Sequence, residues 1–229
     1  MKLLGRIGLF AVAGAMALVL GAAPALATPV ITSYDILNAR TSGFGGWQHT
    51  YSGTITPLGG GNANYTGGSG TLNDGNLGTS PLDTELFSAT VGPVITLHLD
   101  AMYTIDSISI FGGNFTGNLI PGVLGSINVS FGGPSVSPPD TPFGFAADPG
   151  PASDRFSLGA TALANVPTNT IILSNFGGPL FPFGNEQLFS IAEIQVAGTA
   201  AVPEPATLAL LGTGLVALGA RRRTRRSRG

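Results

Sequence analysis

The run Val94-Ile95-Thr96-Leu97-His98-Leu99-Asp100 alternates strictly. Ile95, Leu97 and Leu99 fall on one side of an extended chain, and Thr96, His98 and Asp100 on the other, which is the pattern of a half-buried strand. Asp106-Ser107-Ile108-Ser109-Ile110 and Ser126-Ile127-Asn128-Val129-Ser130-Phe131 repeat it, and between the two ends of the chain no stretch sustains apolar residues three and four apart. Clusters of Gly, Pro, Asn and Ser separate the runs, as turns separate strands. Thr170-Ile171-Ile172-Leu173 is apolar on both sides, which predicts a central strand covered on both faces. In Phe189 to Val196 the parity changes: Phe189 and Ile191 share one side, Ile194 and Val196 the other. A bulge near Ala192-Glu193 would reconcile them. Ile31 to Leu37, Tyr51 to Thr56 and Glu85 to Ser88 are weaker strand candidates. Gly59-Gly60-Gly61 and Gly67-Gly68-Ser69-Gly70 read as flexible connections, and Pro134 to Pro151 as a long loop. The expectation for the body is an all-β, antiparallel β-sandwich.

Both ends are of another kind. Lys2 and Arg6 precede the apolar run Ile7 to Leu20, and Ala25-Leu26-Ala27 supplies the small-x-small pattern that signal peptidase accepts. Residues 1–27 are therefore expected to be a signal peptide whose helix is cut away after Ala27. At the other end Val202-Pro203-Glu204-Pro205 leads into the apolar stretch Ala206 to Ala220, and Arg221, Arg222, Arg223, Arg225, Arg226 and Arg228 follow. Such an arginine cluster resists transfer across a bilayer and is drawn to anionic headgroups. A helix over 206–220 would rise roughly 22 Å, short for a hydrocarbon core of about 30 Å. The expectation is a transmembrane helix that anchors the chain in the inner membrane only temporarily.

With the ends set aside, only Arg40 and Arg155 remain as bases in residues 28–200, against eleven acids, for a formal charge of −9. Such a surface repels phosphate backbones, which excludes nucleic acid as a partner and favours cations or neutral ligands. There is no cysteine, so a body bound for an oxidising compartment depends on its core and has no thiol chemistry.

The order of motif, apolar helix and arginines over 201–229 resembles the PEP-CTERM sorting signal of Gram-negative bacteria, with Pro203-Glu204-Pro205 matching the motif that names it. The resemblance implies that an exosortase, a membrane protease, recognises the tail, removes it and releases the protein to the cell surface or extracellular matrix.

A second resemblance lies in the body. Leu72-Asn73-Asp74-Gly75-Asn76-Leu77-Gly78-Thr79 contains Asp-Gly-x-x-x-Thr, which resembles the galactose-binding-like family of discoidin domains and bacterial carbohydrate-binding modules. Ile95 to Tyr103 followed by Ile105 to Ile110 looks like that family's paired strands, in which an alternating segment ends in Asp before a turn. Ile191 to Gly198 looks like its closing strand, with Glu193 where the family commonly places an acid. The resemblance implies a jelly-roll sandwich over 28–200 and a structural calcium ion at the Asp-Gly loop. Calcium takes six to eight oxygens, and Asp74, Asn76, Thr79 and nearby carbonyls could gather several, with Glu193 closing the cage. Asp-Gly is also among the commonest turn dipeptides, so a plain turn remains open. Where the family has a Trp shortly after the Thr, this chain has Ser80-Pro81-Leu82-Asp83.

The single tryptophan, Trp47, stands in a glycine-flanked segment with Gln48 and His49. It could stack on a sugar ring, with Gln48, His49 and Arg40 supplying hydrogen bonds to an extracellular polysaccharide, or it could cap a core. Catalytic constellations are thin: His98 lies on the outward side of its strand, His49 has no nucleophile elbow or metalloprotease helix with it, and Asp83 and Glu85 fit an exposed strand or loop. The expectation is a non-catalytic protein.

Overall fold

The computed structural model describes residues 28–40, 49–78, 83–114, 124–143, 150–177, 180–201 and 212–214. Thr28–Ala201 is a compact unit in its own right. Among the described residues it holds twelve strands: β1 (Ile31–Arg40), β2 (Thr54–Gly59), β3 (Asn62–Gly68), β4 (Glu85–Ser88), β5 (Val94–Asn114), β6 (Ser126–Ser130), β7 (Asp140–Phe143), β8 (Gly150–Ser157), β9 (Pro167–Gly177), β10 (Phe181–Phe183), β11 (Glu186–Ile191) and β12 (Glu193–Ala200). The larger sheet runs β2-β3-β1-β5-β8-β7, with β9 and β12 also on β5 and β6 on β9; the smaller runs β10-β11-β4. The pairings are antiparallel, so the expected all-β antiparallel sandwich is what the chain forms.

The alternation read from the sequence is what builds the core. Ile95, Leu97, Ile108 and Ile110 of β5, Tyr34 and Ile36 of β1, and Ile171 and Leu173 of β9 turn inward from the large sheet, where they meet Phe87 and Phe189 of the small one. The Phe87 and Phe189 rings stack with centroids 5.1 Å apart, and Phe176 lies 5.1 Å from Phe189. Each such side chain contributes roughly 1.5–3 kcal/mol through burial.

Several local expectations are corrected. The two alternating runs expected to flank a turn after Asp100 are one strand, β5. His98 pairs Thr170 while Tyr103 pairs Thr168, so β5 takes five residues where β9 takes two, and the strand bends instead of turning back. Its first half then pairs β1 and its second half pairs β8 and β12. The parity change near Ala192 is a change of sheet: Ile191 pairs Glu85 in the small sheet, Glu193 pairs Phe111 in the large one, and the Ala192 N–H between them donates to the Phe111 carbonyl at 2.7 Å. Ile172 is only half-buried although β9 lies between β5 and β6, so β9 is central in its sheet but not fully covered on both faces. The Pro-rich stretch contains β7 and the start of β8.

The glycine clusters are structural rather than slack. Gly59, Gly60 and Gly61 all have positive φ, at 88°, 62° and 81°, and close the β2–β3 hairpin. Gly68 and Gly53 flank the Tyr51 ring. A Cβ on either would stand 2.7 Å from it. That ring is held in place as the Tyr51 hydroxyl donates to the Tyr34 carbonyl at 2.7 Å and accepts from the Gly68 N–H at 2.8 Å.

Among the described residues no helix is long and apolar enough to cross a membrane. The signal helix, the apolar stretch 206–220 apart from a helical scrap at 212–214, the sorting motif Val202 to Pro205 and the arginine tail lie outside them.

Candidate functional site

The Asp74-Gly75 turn follows a short 3-10 turn at Thr71–Asn73 and is organised by its own short polar side chains. Asp74 Oδ1 accepts the Asn76 N–H at 2.8 Å and Asn76 Oδ1 accepts the Gly78 N–H at 3.1 Å, two Asx turns in succession. Gly75 and Gly78 supply the positive φ, 85° and 83°, that such tight reversals need. Asn73 ties the turn to the sheet through Nδ2, which donates to the Ile31 carbonyl at 2.9 Å.

Glu193, the first residue of β12, reaches this turn from across the sheet. Its Oε2 accepts the Gly75 N–H at 3.0 Å, joining positions 118 residues apart. The side chain is 5% exposed. Burial pushes its carboxyl up to about 7, the Gly75 N–H opposes the rise, and the Asp74 charge adds to it. The structure thus brings Asp74, Asn76 and Glu193 together, and Thr79 lies outside the described residues. Among the described residues no group of three or more His, Cys, Asp or Glu side chains converges as a metal set; hard cations also take amide and carbonyl oxygens. Asp74 and the desolvated Glu193 bring two carboxylates to one tight turn. Beside them an open cleft of about 300 Å³ runs between Thr28 to Ile31 and the first residues of β12, Glu193 to Val196, with Asn73 at its side.

The residues proposed to contact sugar are not gathered in this way. Trp47 and Gln48 lie outside the described residues. Arg40 Nη1 stands 2.6 Å from Glu186 Oε1. His49 is enclosed, with a side chain 3% exposed, and its Nε2 is 2.9 Å from the Tyr34 hydroxyl. Its Nδ1 is 3.1 Å from Glu85 Oε2, a close but bent contact without hydrogen-bond alignment. Glu85 pairs Ile191 at one end of β11 and Glu186 is at the other, so His49 and Arg40 serve neighbourhoods roughly 17 Å apart along the strand.

Glu85 was expected on an exposed strand or loop and is instead 2% exposed. Burial holds its carboxyl well above the carboxylate range and pushes the His49 imidazole down to about 3. Tyr34, Tyr51 and Tyr65 surround the imidazole, Tyr65 with its ring 5.0 Å away. Sequence reasoning missed this cluster; the one signal for it is that Tyr34 and Ile36 have the same parity in β1. His98 does lie on the outward face as expected, where its Nε2 pairs Asp35 Oδ2 at 2.8 Å.

Comparison with known proteins gives one match by sequence family and several by shape. Residues 201–223 match the family model of the PEP-CTERM protein-sorting motif. No curated protein matches the sequence. A fucolectin from striped bass serum shares 13% identity at a TM-score of 0.34, over 57% of this chain and 41% of that one; the match thus spans about two fifths of the fucolectin's length. The C-terminal domain of a chitobiase from Bacteroides fragilis shares 18% identity at a TM-score of 0.36, over 68% of this chain and 95% of that one. A GH31 CBM32-2 module bound to GalNAc shares 10% identity at a TM-score of 0.37, over 66% of this chain and 98% of that one.

Proposed function

We propose that this is an exported protein whose tail is removed by exosortase, and whose 28–200 sandwich acts without catalysis at the cell surface or in the extracellular matrix as a binding module for extracellular polysaccharide. The observation that carries the first half is the match of residues 201–223 to a protein-sorting motif. Signal peptidase acts after Ala27, the apolar stretch 206–220 holds the intermediate in the inner membrane, and the arginines keep its end in the cytoplasm. Replacing Pro203, Glu204 and Pro205 with Ala should leave the exported chain at its uncut mass, measured by mass spectrometry of membrane and surface fractions. Equal trimming of variant and wild type would remove this reading.

The binding half rests on the resemblance of the Asp74-Gly75 loop and closing strand to the galactose-binding-like family, supported by the way Glu193 and Asp74 meet at the turn. Calcium would be held there by Asp74 and Glu193 with Asn76 and Thr79, and it would supply structural cohesion between loop and sheet. A second reading, a matrix component with no discrete sugar site, is favoured by the enclosure of His49 and the pairing of Arg40. A glycan screen of the purified chain, run in calcium and in EDTA, separates them. The binding reading expects retention on a defined glycan, lost on Trp47→Ala, and a melting temperature that calcium raises in wild type but not in Asp74→Ala. No retention on any glycan leaves the matrix reading, and no calcium-dependent shift removes the ion.

A further inference from the structure

The Tyr34, His49 and Glu85 cluster takes no part in the proposed sorting, calcium or sugar chemistry. It joins the two sheets: Glu85 belongs to β4 of the small sheet, Tyr34 to β1 of the large one, and His49 stands between them. Tyr34 is fully buried, and the side chains of His49 and Glu85 are each 3% exposed. The Tyr34 hydroxyl also receives the Leu72 N–H at 3.5 Å, which ties in the turn before Asp74. The titratable groups facing the pair are Tyr34 from β1, Tyr65 from β3 and Tyr51 from the segment before β2, and all three are phenols.

We infer that this cluster is a proton-locked latch: Glu85 is a neutral carboxylic acid packed against a neutral His49 imidazole, the imidazole is paired to Tyr34 through Nε2, and alkaline conditions loosen the joint between the sheets. The geometry disfavours the alternative, a carboxylate facing an imidazolium. Glu85 Oε1 and His49 Nδ1 are both buried without a hydrogen-bond partner, which is costly for a carboxylate and an imidazolium and far less so for the carbonyl oxygen of a neutral acid and the bare nitrogen of a neutral imidazole. Burial shifts both groups in the direction of neutrality.

The sign follows from counting protons. Above pH 6.5 the unfolded chain holds an ionised Glu and a neutral His, while the folded chain keeps the Glu85 proton. The folding constant therefore falls up to tenfold per pH unit until Glu85 itself ionises. Between 4.5 and 6.5, the ordinary values of the two groups, both states hold equal numbers of protons and the pair gives no slope. Below 4.5 the unfolded chain holds both protons and the folded chain only the one on Glu85, so stability falls again.

Glu85→Gln tests this, because the amide preserves the shape of the neutral acid and cannot ionise. In infrared difference spectra of the purified chain at pH 8, wild type minus Glu85→Gln should show the C=O stretch of a protonated carboxyl group. The variant should also lose the decline in stability that Glu85 adds above pH 6.5, leaving a shallower slope that levels off past about 7, where Glu193 titrates. Should Glu85→Gln fail to fold, nitrogen NMR of His49 in the wild type decides: the latch requires a neutral imidazole at pH 5. An imidazolium signal there, or a folded variant with no carboxyl band in the difference spectrum, overturns the inference.

Discussion

Gly70→Ala should prevent the body from folding. A Cβ at this position would overlap the Thr50 carbonyl oxygen and its carbon far inside van der Waals contact. The obstacle is backbone, which cannot step aside as a flexible side chain does. That carbonyl is fixed because it accepts the Thr71 N–H at 3.0 Å, the Thr50 N–H donates to Thr71 Oγ1 at 2.9 Å, and Tyr51 bridges to Gly70. Moving the strands apart would break those bonds and pull Tyr51 from its place between Gly53 and Gly68. Overpacking of this kind costs about 3 kcal/mol or more, a large share of the roughly 5–15 kcal/mol that holds a domain together. Gly133→Ala is the control, since nothing lies within 4 Å of a Cβ there. Urea unfolding followed by circular dichroism should show a cooperative transition for Gly133→Ala and none, or one at far lower urea, for Gly70→Ala. Matching midpoints would refute the close approach.

The second large effect is expected at Asp154, on β8. It is fully buried, and its Oδ2 accepts the Leu124 N–H at 2.5 Å while Oδ1 has no partner. Burial raises its carboxyl from 3.8 to about 7, the Leu124 N–H holds the rise back, and the charge of Asp140 adds to it. Asp140 lies diagonally across the β7–β8 pair on the same face, as it opposes Phe156 while Pro142 opposes Asp154. Between 3.8 and 7 the folded chain holds a proton that the unfolded chain has released. Stability is therefore fullest below 3.8 and falls as pH rises toward 7, by on the order of 3 kcal/mol for this group. Asp154→Asn keeps an acceptor for Leu124 and removes the charge. At pH 8 it should raise the melting temperature by about 6–12 °C, with little effect at pH 4. Glu193 declines over the same window, so a shallower slope should survive in the variant. An unchanged pH slope would show that Asp154 is not the source.

Both predictions rest on features that the sequence disguised. Gly67-Gly68-Ser69-Gly70 has the composition of a flexible linker, yet the reason for glycine at 68 and 70 is a neighbour some fifteen to twenty residues earlier. Asp154 and Glu85 belong to the acid-rich composition that suggests a solvated surface, and neither is on it. By contrast the Asp74-Gly75 turn was legible, because Asx turns are made within three residues, and so was the acid that would meet it once the closing strand was identified. Glu193 was expected at this loop as part of a calcium cage; that it accepts the Gly75 N–H and is buried was not.

The limits of local reading also explain the two misjudged strand connections. Parity within a run is set by the extended backbone itself, so β1, β4, β6 and the halves of β5 could be marked out from residue types alone. Whether a break in parity is a bulge or a passage between sheets depends on which partner strand waits on each side. Near Ala192 that partner changes from β4 to β5.

What the sequence determined by itself was the all-β character of the body, the inward side of its best strands, the acidic charge and the sorting motif, since each is a property of adjacent residues. The tertiary structure alone decided that His49 and Glu85 are enclosed, that Arg40 answers Glu186, and that Gly70 admits no side chain. Burial and close approach arise from contacts between residues distant along the chain, and a desolvated carboxyl differs from a solvated one only in what surrounds it.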